Sequence, residues 1–103
     1  MAPDFATVAK AGDIASGELA AFNVEGTQIA IANVDGTFYA FDDTCTHRQC
    51  SLTQGELDGT TVFCPCHGSV FDVTTGAVLV PPAVEPVGSY RVRVAGDALQ
   101  VEV

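Results

Sequence analysis

All four cysteines and both histidines of this chain fall between Cys45 and His67, a span of 23 residues, and the other 80 positions carry none. They form two groups, Cys45-Thr46-His47-Arg48-Gln49-Cys50 and Cys64-Pro65-Cys66-His67-Gly68-Ser69, with 16 residues between His47 and Cys64. Thiolate and imidazole donors concentrated in this way read as one inorganic site. Two segments must then be brought face to face, and the remainder of the chain is expected to supply the support that holds them.

Turn signals punctuate that remainder at Glu25-Gly26, Asp35-Gly36, Asp58-Gly59, Thr75-Gly76 and Gly96-Asp97, as they do between short antiparallel strands. Strands are expected at 5–10, 18–24, 28–34, 38–41, 60–64, 77–80, 90–94 and 99–103. Most of these stretches are β-branched or aromatic, and several alternate, as Tyr90-Arg91-Val92-Arg93-Val94 does. No capped helical period is present, and Ala11-Gly12-Asp13-Ile14 reads as a single helical turn. Pro81, Pro82 and Pro86 remove ladder donors and fix φ, so 80–87 reads as a stiff covering loop. The chain of 103 residues is expected to form one all-β domain, 1–103. Its base, about 1–41 and 81–103, is an antiparallel sandwich or partly open barrel. A loop-rich subdomain, about 42–80, is inserted in that base and carries the whole ligand set.

Four Lys and Arg against thirteen Asp and Glu give a net charge of −9. Such a surface repels nucleic acid and anionic membrane and steers toward a basic face on a partner. No apolar run approaches the roughly 18 residues of a membrane span. The first residues lack a basic region followed by an apolar stretch, so the cytoplasm is the expected compartment. With no glycine-rich phosphate loop and no Ser/His/Asp arrangement, no catalytic residue is expected.

Cys45, His47, Cys64 and His67 supply two thiolates and two imidazoles, which suit either a tetrahedral zinc ion or a two-iron cluster. A single intervening residue crowds Cys45 and His47 at one tetrahedral ion. Two irons relieve the crowding, because extended backbone places both side chains on one face and each can serve a different metal. Both readings stand on the residues alone.

Cys45-Thr46-His47 with Cys64-Pro65-Cys66-His67-Gly68 resembles the Rieske iron–sulfur signature. The similarity runs on through Gly55-Glu56-Leu57-Asp58-Gly59, Phe71-Asp72-Val73-Thr74-Thr75-Gly76 and Pro86-Val87 to the last hairpin. The small size resembles the soluble Rieske ferredoxins that feed electrons to bacterial oxygenases. This likeness implies one [2Fe-2S] cluster, with Cys45 and Cys64 on the inner iron and His47 and His67 on the outer one. It implies a one-electron carrier and not an enzyme, and no substrate pocket is implied. A flavin-containing reductase and a terminal oxygenase are the implied partners, docking near His47/His67 of a monomer.

Two ferric ions, two sulfides and two thiolates sum to zero charge, so an added electron meets less repulsion than in an all-thiolate cluster. The implied potential lies between about −150 and +300 mV. Ser69 stands where high-potential relatives place a hydroxyl donor to a sulfide, and Phe71 stands where they carry a tyrosine, so a value inside the window is expected. Phe71 itself reads as core. The resemblance also pairs Cys50 with Cys66 in a disulfide, as in the Rieske proteins of cytochrome bc complexes, a link of roughly 3 kcal/mol on the chain-entropy account. Two other readings are a Rieske subunit of a respiratory or oxidase complex and a structural zinc module. Gly68 and Gly76 are expected at positive φ, and Arg48 reads as a solvated residue or a partner contact.

Overall fold

Residues 29–32 alternate isoleucine with alanine, and the consequence is a strand buried on both faces. In the structure, a computed structural model that describes residues 5–24, 26–44, 50–65, 68–81 and 85–102, β3 (Thr27–Val34) has Ile29, Ala30, Ile31 and Ala32 all fully buried. Alternation sends Ile29 and Ile31 into one core with Ile14, Val24, Ala40, Leu99 and Val101. It sends Ala30 and Ala32 into a second core with Phe41, Leu52, Val62, Cys64, Phe71, Val73 and Val87. The alanines leave room there for the rings of Phe41, which pairs with Ala30 in the same sheet, and of Phe71 from another sheet.

Among the described residues, three open antiparallel sheets surround these cores. The first has the order β1 (Phe5–Lys10), β11 (Ala98–Glu102), β10 (Val92–Ala95). The second runs β2 (Leu19–Val24), β3, β4 (Thr37–Asp42), β9 (Ser89–Tyr90). The third runs β5 (Glu56–Asp58), β6 (Thr61–Phe63), β7 (Val70–Asp72), β8 (Val78–Val80). None closes on itself, so the fold is all-β without a closed barrel. The third sheet is inserted in sequence between β4 and β9, which pair directly through Ala40 with Tyr90 and Phe41 with Ser89.

Ala11–Asp13 forms the expected helical turn, as one turn of 3-10 helix. The expected strand at 90–94 is two strands. Tyr90 pairs with β4 while Val92 pairs with Val101 of β11, so the chain changes sheets at Arg91. Two three-residue strands, β5 and β7, and a 3-10 turn at Leu52–Gln54 are additional to the sequence reading.

Asp42, the last residue of β4, ties in the strand that returns. Its Oδ2 accepts the Gly88 N–H at 3.1 Å and its Oδ1 accepts the Tyr90 hydroxyl at 2.5 Å. Burial, with help from the hydrogen bond to Asp42 and the charge of that carboxylate, pushes the Tyr90 phenol up from 10.0 to about 12. An acid whose pKa is raised by folding contributes stability below its unfolded value and loses it as pH climbs toward the folded one. Stability should therefore fall between pH 10 and about 12, and Tyr90→Phe should flatten that part of the profile. Thermal unfolding of both proteins across the alkaline range checks this; equal slopes would contradict it.

Candidate metal centre

The second ligand segment hangs between β6 and β7. Cys64 follows β6 and Ser69 precedes β7, and both are fully buried. The Cys64 N–H donates to the Ser69 carbonyl at 2.7 Å, and the Gly68 N–H donates to the Cys64 carbonyl at 3.1 Å. Gly68 has φ 81°, as expected, a conformation that residues with a Cβ adopt at a cost. These bonds close the segment at its base and set Cys64 at the floor of the second core.

The first ligand segment leaves the end of β4. Thr44 forms an isolated antiparallel bridge with Ser51, so the chain that departs after Thr44 is brought back beside itself. Asp43 stands at this neck, 1% exposed. Its Oδ2 accepts the Ser51 hydroxyl at 2.6 Å, its Oδ1 accepts the Thr53 N–H at 2.9 Å, and its carbonyl accepts the Leu52 N–H at 2.7 Å. Gly55 follows, and a Cβ there would lie 1.8 Å from the Phe63 carbonyl oxygen, so only glycine lets the two segments pass this closely.

Cys50 is half-buried, is disulfide-bonded, and packs against the core that contains Cys64. The roots of both ligand segments thus converge on one apolar cluster. Cys45, His47, Arg48, Cys66 and His67 lie outside the described residues. Among the described residues, accordingly, no three of His, Cys, Asp and Glu gather. The donor chemistry suits the expected group, because the disulfide takes the Cys50 sulfur out of contention while Cys64 stands in the core against which Cys50 packs. Phe71 is fully buried in the second core, the role read for it from sequence.

Asp43, Ser51 and Thr53 were not singled out by the sequence. The carboxylate's partners lie 8 and 10 residues away, outside any local capping pattern. An apolar band was likewise hidden. The register aligns Glu56, Phe63, Val70 and Val80 across β5 to β8. Phe63 is 47% exposed and Val80 43%. The Phe63 ring lies 3.8 Å from where a Gly68 Cβ would be, so the band reaches the base of the second ligand segment, with the exposed Glu56 and Asp58 at its edge.

The Rieske [2Fe-2S] domain profile matches residues 4–91. The ferredoxin component of the naphthalene 1,2-dioxygenase system of Pseudomonas aeruginosa is 33% identical over 90 residues, covering 87% of this chain and 86% of that protein. Ferredoxin CarAc of Metapseudomonas resinovorans is 40% identical over 88 residues, covering 84% and 82%. A chain in the complex of reduced oxygenase and oxidized ferredoxin in carbazole 1,9a-dioxygenase superposes with a TM-score of 0.91 at 36% identity, covering 95% of this chain and 92% of that one.

Proposed function

The chain belongs to the Rieske [2Fe-2S] domain family, and from that premise we propose that it accepts one electron from a flavin-containing reductase and passes it to a terminal oxygenase. It is the electron-transfer component of an oxidoreductase system and not its catalyst. It carries one Rieske-type [2Fe-2S] cluster. The observation that carries the fuller reading is the convergence of both segment roots on the core around Cys64.

In this reading Cys45 and Cys64 hold the inner iron and His47 and His67 the outer one. When bound, the cluster supplies a one-electron couple within about −150 to +300 mV. The chain's own residues do the rest. Leu52, Val62 and Phe71 around Cys64 keep water from the inner side, and Ser69, fully buried at the base of the second segment, is assigned as a hydroxyl donor to a sulfide. Cys50 is disulfide-bonded, and Cys66 is the proposed partner, a link that would join the two ligand segments. Residues about 42–80 form the proposed cluster-binding unit, with about 1–41 and 81–103 as its base.

Partners are proposed to dock near His47/His67. The apolar band ending at Phe63 supports this, as does a net charge of −9 that favours a basic face and opposes pairing of two copies. The protein is proposed to act as a monomer in the cytoplasm. No helix among the described residues is long and apolar enough to cross a membrane; recovery in the cytoplasmic fraction of spheroplasts, and not in the released periplasm or the membrane pellet, checks the compartment.

Electron paramagnetic resonance of the dithionite-reduced protein tests the cluster. Mixed thiolate and imidazole ligation should give an average g-value below that of an all-thiolate [2Fe-2S] protein, with equal amounts of iron and acid-labile sulfide. A colourless protein with stoichiometric zinc would overturn the reading.

A further inference from the structure

Two consecutive carboxylates end β4 and its extension, and strand alternation turns them to opposite sides. Asp42 holds Gly88 and Tyr90, on the side where β9 returns. Asp43 holds Ser51 and Thr53, on the side where the first ligand segment returns. Its backbone is fixed as well, the N–H donating to the Gln28 carbonyl at 3.2 Å and the carbonyl accepting from Leu52. The Ser51 and Thr53 hydroxyls are themselves 2.8 Å apart, so the returning strand is gripped through three connected groups.

We propose that Asp43 is a positioning residue for the [2Fe-2S] centre: its carboxylate locks the neck between Thr44 and Ser51, the root of the stretch of sequence that carries Cys45 and His47. This rests on the ligand assignment above. Besides the Thr44–Ser51 bridge and the Leu52 N–H bond to the Asp43 carbonyl, two hydrogen bonds that one buried carboxylate accepts from residues on the far side resist shear of the neck. Leu52, fully buried and hydrogen-bonded to the Asp43 carbonyl, carries the constraint into the core that holds Cys64. A buried carboxylate is costly to desolvate, and a polar group kept in such a place is satisfied by partners whose geometry it fixes.

Substitution separates this role from general stability. Asp43→Ala removes both acceptors. Asp43→Asn keeps the shape, but its amide oxygen must face the Thr53 N–H, so its NH₂ meets the Ser51 hydroxyl, which has to reverse its bond. Asp42→Asn is the control, since it perturbs the same strand end on the other side. The holoproteins are compared, each well below its own unfolding temperature, for loss of visible absorbance in the presence of an iron chelator and for the resonance of the reduced cluster.

Release should be about ten- to a hundredfold faster in Asp43→Ala, the scale on which groups behind metal ligands act. Asp43→Asn should be intermediate, and both should shift the g-values. Asp42→Asn should lower thermal stability while leaving release and g-values as in the parent. Wild-type release and g-values in Asp43→Asn, or equal changes in the Asp42 and Asp43 variants, would overturn the proposal, and Asp43→Asn decides the matter if Asp43→Ala does not fold. Failure of the parent protein to show any iron–sulfur resonance would instead remove the ligand assignment beneath it.

Discussion

Cys64→Ala is expected to purify as a folded protein without its cluster, while Cys50→Ala is expected to keep the cluster in a less stable fold. Both are single sulfur deletions in side chains that contribute to one apolar core, so core packing alone predicts similar outcomes. Chemistry predicts opposite ones. Cys64 is fully buried where the base of the second segment is tied by the Ser69 and Gly68 bonds, and on the proposed ligand assignment its removal leaves one iron a donor short. Losing the sulfur of a small buried side chain costs only about 1–2 kcal/mol of packing. Cys50 is disulfide-bonded, and loss of such a link costs about 2–5 kcal/mol while leaving the donor count unchanged. Iron and sulfide content, reduced-state resonance and thermal unfolding of the two variants check this. A Cys64→Ala protein with the parent's resonance would contradict the assignment, as would a Cys50→Ala protein with normal stability and no iron.

The candidate donors could be picked out because Cys and His are scarce in this chain and confined to 45–67, and their spacing needs no knowledge of pairing. Strands were legible where alternation runs long enough to be read, as in β3 and β11. Glu56-Leu57-Asp58 and Val70-Phe71-Asp72 are too short to establish a period, and their pairing comes from neighbours in the third sheet. At Arg91 the pattern is correct about facing but silent about pairing, so one alternating run conceals a move between sheets. Asp43 illustrates the same limit at the centre. Its residue type looks like a loop carboxylate, and its partners Ser51 and Thr53 are residues that only tertiary structure brings near. Glycine is intermediate: Gly68 and Gly76 announced positive φ, whereas the close passage at Gly55, which has ordinary φ −88°, left no sequence mark.

Gly76→Ala should be the most damaging of the glycine substitutions, because two independent penalties coincide there. Its φ is 83°, and a Cβ would lie 2.1 Å from the Val87 carbonyl oxygen and 3.1 Å from its carbon, backbone atoms that cannot swing aside. Gly36 isolates the first penalty, having φ +90° and open space around the new Cβ. There the left-handed conformation alone should cost about 1–2 kcal/mol, roughly 4–16 °C of melting temperature for a domain of this size. At Gly76 the clash acts on the turn itself, where the Gly76 N–H donates to Asp72 at 2.7 Å and the Val87 N–H donates to Gly76 at 2.9 Å. Moving Val87 away breaks that second bond and draws a buried residue out of the core shared by Phe71, Val73 and Cys64. A total near 4 kcal/mol, about the upper end of what single substitutions cost, corresponds to a fall of roughly 15–30 °C. Since the displaced residue belongs to the core in which both ligand segments are rooted, the cluster should also be released at a lower temperature than in Gly36→Ala. Calorimetry followed at the cluster's visible absorbance measures both events, and a Gly76→Ala protein that melts no lower than Gly36→Ala would show that the close approach of Val87 carries no energetic weight.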